Sequence, residues 1–147
     1  MTAPAEAPGA KDRSVRRYLY LAYIGAGAHA LIIGSAPGAV EQSMGTRAAL
    51  AWAVLLIVGP VLALTGTRLE HTASGLWLWL SGDTAFASAS AAYSYAVYSA
   101  AWSDRATYSA WIAGALAVCG ARWAADTARQ IRRVSAMIDE VEGGSRG

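Results

Sequence analysis

Charge is what this chain has least of. Only 15% of its 147 residues are Asp, Glu, Lys or Arg, against roughly 25% in soluble domains. A single cysteine excludes a disulfide scaffold. A net charge of +2 argues against a nucleic-acid binder, which needs a strongly basic face. Phe occurs once, at Phe86, although a soluble core would draw on it freely. β-branched residues are few and no apolar alternation of period two is sustained, so strands are not expected. The sequence has no Gly-rich phosphate loop, nucleophile elbow or zinc-protease helix. It therefore reads as non-catalytic, without a cofactor.

What is present is apolar. Hydrophobic residues make up 55% of the chain, which excludes disorder for most of it and exceeds what one modest soluble core can hide. Four stretches approach the ~20 residues that a membrane-crossing helix needs. They cover about 18–36, 48–67, 75–102 and 106–121. The expected fold is an all-α integral membrane four-helix bundle. A cleaved signal peptide is the rival reading of the first stretch. Its apolar part exceeds the usual length of about 7–15 residues, and Ala36-Pro37-Gly38 is a poor cleavage site.

Aromatic residues mark the ends of the stretches. Tyr18, Tyr20 and Tyr23 open the first, Trp77 and Trp79 the third, and Tyr108 and Trp111 the fourth, with Trp123 just beyond it. Trp and Tyr favour bilayer interfaces, where one part of the ring is apolar and the N–H or O–H needs a wet partner. Basic residues give the orientation. Ten of the twelve lie on the side of the termini and the middle loop, and only Arg47 and Arg105 lie opposite. This positive-inside bias predicts both termini on the cytoplasmic side of the inner membrane. Arg13, Arg16, Arg17, Arg122, Arg129, Arg132 and Arg133 are expected at the membrane surface, where an anionic inner leaflet adds about 1 kcal/mol per charge.

The tails differ from each other. Residues 1–17 read as a flexible basic leader. Residues 122–142 contain neither Pro nor Gly before Gly143, and Thr127, Ile131, Val134, Ile138 and Val141 follow a 4-3-4-3 spacing. That stripe predicts an amphipathic helix continuing the fourth span into the cytoplasm. Residues 143–147 form a flexible end.

Two ionisable residues fall within the spans, His29 and Asp83. Each costs ~2.5 kcal/mol or more in the bilayer and is expected to face protein or water. Counted inward from the span ends, they lie at comparable depth, so a His29–Asp83 contact is one expectation; the other is that each finds its own partner. Helical projection places Asp83, Thr84, Ser88, Ser90, Ser94, Tyr95, Tyr98 and Ser99 on one half of the third helix. That face can pack on the other helices or line a lumen in an assembly. Gly59-Pro60 is a hinge candidate. Glu70-His71 lacks a third ligand, so no metal site is expected.

The basic leader (KDRSVRR), the four Ala/Gly-rich stretches with tight loops and the charged tail (RQIRRVSAMIDEVEGGSRG) resemble small membrane proteins of actinobacterial phages, including holins of lysis cassettes. The resemblance is one of architecture and composition across the whole chain, and no motif transfers a functional residue. It implies a protein that homo-oligomerises in the cytoplasmic membrane and permeabilises it during phage lysis. The alternatives are an accessory subunit or exclusion protein bound to a partner membrane protein, and half of a small dimeric transporter.

Overall fold

A computed structural model describes residues 8–69, 71–100 and 104–144, and the side chains of 14–69, 71–100 and 108–137. Among these the chain is entirely helical, with α1 (Pro8–Ile33), α2 (Gly38–Met44), α3 (Thr46–Arg68), α4 (Ala73–Ala100) and α5 (Asp104–Gly144). The expected bundle thus has a fifth element, because the loop expected at 37–47 contains α2. Gly34 and Gly45 adopt positive φ of 71° and 79°, which glycine tolerates without steric cost. They break the chain on either side of α2, and α2 is bent 76° from α1.

One further boundary differs from the sequence reading. The first helix starts at Pro8, ten residues before the apolar stretch, so the backbone of residues 8–17 is helical rather than a leader. Arg and Lys are good helix formers, and hydropathy alone does not reveal where such a helix begins. In the C-terminal half, α5 runs unbroken through residue 122, so the helix of the fourth stretch continues into residues 122–142 as the spacing predicts. Residues 1–7, the expected tight turn at 103–105 in part, Glu70, the side chains of Arg13, Ile138 and Val141, and the end of the tail lie outside the description.

The four long helices run up and down in turn. Antiparallel α3 and α4 meet through small residues. A Cβ built on Gly82 would lie 2.4 Å from the Ala63 nitrogen, and one on Gly66 would lie 2.5 Å from the Trp79 nitrogen. A Cβ on Gly27 of α1 would lie 2.8 Å from Ala53 O and from the Ile57 side chain of α3. Gly120 of α5 would meet Phe86 of α4 at 2.7 Å. Such contacts let backbones approach as membrane helix pairs do. Towards α4 and α5, by contrast, α1 makes no close backbone approach among the described residues; large side chains span that seam. Thr72 caps α4, its Oγ1 accepting the Gly75 N–H at 3.0 Å.

The core has two layers. One joins Tyr20, Ala63 and Phe86 with Trp79, Leu116 and Trp123 around it. The other joins Val40 of α2 with Ala49 and Ala96, flanked by Trp52 and Tyr93, so α2 closes one end of the bundle. The helix Thr46–Arg68, which holds an 18-residue window of mean hydropathy 2.3, is long and apolar enough to cross a membrane, and the bent α1–α2 pair passes the same test if taken as one span. The exterior carries large apolar side chains: Leu21, Val54, Val58, Val61, Trp111, Ile112 and Val118 are all exposed.

Candidate functional site

The most unusual chemistry lies where α1, α4 and α5 meet. Asp83 is fully buried. Its Oδ1 accepts a hydrogen bond from the Tyr20 hydroxyl, and Thr127 Oγ1 lies 3.4 Å from Oδ2. Arg16 Nη1 lies 3.6 Å from the same Oδ2. Helical spacing explains the convergence. Arg16, Tyr20 and Tyr23 share one face of α1 at i, i+4 and i+7, and Trp123 and Thr127 share one face of α5 at i and i+4.

Arg16 is buried among rings. Its guanidinium carbon lies 4.5 Å from the Trp123 ring centre and 5.6 Å from that of Trp79, both within cation–π range. Tyr20 packs edge-on against Phe86 and Trp123. The aromatic rings exclude water, and the hydroxyls of Tyr20 and Thr127 complete the coordination of the carboxylate. The side chain of Arg16, expected at the membrane surface, turns inward to Asp83, the one carboxylate in the sequence of α4.

His29 is not part of this cluster. It is exposed and lies nine residues beyond Tyr20 on α1, about 13 Å along the helix. The depth match assumed from the apolar stretches fails because α1 starts earlier than its apolar part. Asp83 is therefore level with Arg16 and Tyr20.

The hydroxyl half of α4 divides in two. Ser90 is buried and shares a 2.7 Å hydrogen bond with Tyr23, while Ser94 donates to Ala110 O of α5 at 2.8 Å. Thr84, Ser88, Tyr95, Tyr98 and Ser99 are exposed. Thr84 and Ser99 donate to carbonyls of their own helix, Leu80 O and Ala96 O. Trp77, Ser81, Thr84, Ser88, Ala91, Tyr95 and Tyr98, all exposed, follow a 4-3-4-3-4-3 spacing and form one outward stripe. Its middle is small and hydroxylic and its ends are aromatic.

The remaining candidates are scattered. Arg17, Arg122, Arg129, Arg132 and Arg133 are exposed, and Arg129 pairs with Asp126 at 3.1 Å. Gly59 and Pro60 are buried on the α4 side of α3, and the helix continues through them. Thr127, the first residue of the C-terminal stripe, is buried in the bundle, and Ile131 and Val134 are half-buried. His71 is exposed. Among the described residues no three His, Cys, Asp or Glu side chains gather to hold a metal.

A cleft of about 240 Å³ lies between α1, α3 and α4, walled by Tyr23, Ala26, Trp52, Leu56 and Tyr93 with Pro37 at one end. Neither Asp83 nor Arg16 lines it. Comparison with protein-family models, with curated proteins and with solved structures gives no match.

Sequence reasoning singled out Asp83 but missed Arg16, Tyr20 and Thr127 as its partners. The available signal was the i, i+4 spacing of Arg16 and Tyr20, read across the edge of the apolar stretch.

Proposed function

We propose that the protein is a non-catalytic, multi-pass protein of the cytoplasmic membrane with both termini inside, and that it acts in a holin-like way. It associates laterally with copies of itself through α4 and permeabilises the membrane. The observation that carries this reading is the outward stripe on α4, with Ser81, Thr84, Ser88 and Ala91 between Trp77 and Tyr95. Small hydroxylic residues at heptad spacing let a second helix approach closely in lipid. The aromatic ends suit the two interfaces. The apolar exteriors of α3 and α5 support a lipid environment, and the ten-to-two division of basic residues supports the orientation. The architectural resemblance to phage holins supplies the permeabilising role.

Induction in a bacterial host tests it. The expected result is loss of membrane potential and arrest of growth, together with disulfide cross-linking of a Ser88→Cys, Cys119→Ser variant to itself. If induction leaves potential and growth intact, the permeabilising role fails. If Ser88→Cys cross-links instead to one stoichiometric host or phage protein, the accessory-subunit reading replaces it. One observation supports that second reading. Ser81 and Thr84 donate to Trp77 O and Leu80 O, so these hydroxyls are suited to helix packing more than to lining water.

A further inference from the structure

We infer that the cleft between α1, α3 and α4 holds one acyl chain of a membrane phospholipid, from the leaflet on the α2 side. The inference rests on the membrane reading above and adds a lipid site to it.

Three observations lead there. The first is the wall, which is formed mainly by aromatic rings and small or aliphatic side chains. Trp52 and Tyr93 stack with ring centres 5.7 Å apart, and Leu56, Ala89 and Ala26 complete the surface. Three polar groups in the wall are already committed. Trp52 Nε1 donates to Ala89 O at 3.0 Å. Ser90 Oγ donates to Phe86 O at 2.9 Å, so in its 2.7 Å contact with Tyr23 the tyrosine is the donor. These three have no hydrogen left to offer a polar headgroup, whereas a hydrocarbon chain asks for none.

The second is depth. Taking Ile57 as the middle of Thr46–Arg68, Leu56 and Trp52 lie about 1.5 and 8 Å from the centre, toward the α2 end. The half-thickness of a bilayer's hydrocarbon region is about 15 Å. At that depth a bilayer supplies acyl chains.

The third is access. Because α1 approaches only α3 closely among the long helices, its other side is separated from α4 and α5 by side chains alone. Below the cleft that seam is filled by Tyr20, Phe86 and Trp123, with Tyr23 forming the cleft's own wall on that side. At the level of the cleft α1 contributes Ala26, which is small and exposed, and the cleft is open on one side. A chain entering there would replace lost dispersion contacts that an unfilled apolar cavity forfeits.

The full-length protein, reconstituted in phosphatidylethanolamine/phosphatidylglycerol vesicles, tests this with a phospholipid carrying a diazirine in its acyl tail. After photolysis, adducts are mapped by mass spectrometry. Adducts concentrated on Tyr23, Trp52 and Tyr93 are expected, above the level at exposed Val54, Val58 and Val61. Ala26→Trp, at an exposed lining position, is expected to reduce cleft adducts to the Val58 level while helical content by circular dichroism stays unchanged. Ala26→Leu, a milder filling, is expected to give an intermediate loss. Even labelling over all lipid-facing residues, or cleft labelling indifferent to both variants, overturns the inference alone. Labelling of the cleft by a diazirine free fatty acid but not by the phospholipid overturns the assigned source. Failure to enter vesicles at all overturns the membrane reading and the inference together.

Discussion

Breaking the Arg16–Asp83 contact should cost far more than the contact itself contributes. At 3.6 Å and an effective dielectric of about 20, two unit charges attract by about 4–5 kcal/mol. Against this stands a desolvation cost of several kcal/mol for each of the two buried ions, so the bare pair is net unfavourable. What remains is the surrounding shell. The Tyr20 hydrogen bond to a charged acceptor is worth about 1.5–3 kcal/mol, and the ring contacts of Arg16 with Trp79 and Trp123 about 0.5–2 kcal/mol each. Removing one charge deprives the other of this ion pair in a site with almost no exposure, which costs up to about 3–5 kcal/mol. Asp83→Asn and Arg16→Met should therefore each destabilise the protein by about that amount.

The double variant should be less destabilised than the sum of the two by about 2 kcal/mol or more, since it removes both charges of the pair together. The assay is reversible denaturant unfolding in a fixed mild detergent, followed by tryptophan fluorescence, for wild type, both singles and the double. If the double equals the sum of the singles within about 0.5 kcal/mol, the two charges do not act as a pair and the account of this site is wrong. His29→Ala provides the control. As an exposed residue outside the cluster, it should change stability by no more than about 0.5 kcal/mol and add to Asp83→Asn without coupling.

Other substitutions probe the rest of the architecture. Gly82→Ala places a Cβ 2.4 Å from Ala63 N and should destabilise by about 1–3 kcal/mol through overpacking. Gly25→Ala has open space around it and should stabilise by about 0.5–1 kcal/mol through helix propensity; unfolding in the same detergent measures both. Tyr20→Phe should cost about 1.5–3 kcal/mol by removing a hydrogen bond to the carboxylate, read from the same titration. Ending the chain after residue 121 removes Trp123 and Thr127 and should abolish cooperative unfolding, whereas ending it after 137 should keep a cooperative transition. Equal behaviour of the two truncations would restore a boundary at residue 122.

The helical periodicity of this chain was legible because apolar residues fill most of each helix and the breaks are chemically marked. The stretch 48–67 matches Thr46–Arg68, and 75–102 matches Ala73–Ala100, within two residues at each end. The beginning of α1 was not legible, because Lys11, Arg13, Arg16 and Arg17 interrupt hydropathy without interrupting the helix. That one error propagated. Depth was counted from Tyr18 instead of Pro8, which put His29 level with Asp83 and hid Arg16. The short α2 was missed for a different reason: a seven-residue helix between two positive-φ glycines has too few turns to show a period. Thr127 was read as the first residue of a cytoplasmic stripe because spacing tells which residues share a face, not what that face meets.

The polar face of α4 shows why a projection cannot by itself assign a role. Asp83, Ser90 and Ser94 belong to the same half of the helix as Thr84, Ser88 and Tyr95, yet the first three turn to α1 and α5 and find partners there. Only the outer part of the half-circle stays unclaimed, and it is narrower than the sequence suggested. Narrowing it changes the mechanism that permeabilisation would need. A lumen requires a wide polar wall from each copy, whereas a one-residue-wide stripe supports close pairing of helices. If copies of this chain do open a membrane, α4 joins them, and the breach forms at the boundary of the cluster and not through the middle of each bundle. Ser88→Leu separates these cases. It should weaken self-association and permeabilisation together if α4 is the seam, and should narrow conductance while leaving association intact if α4 lines the passage.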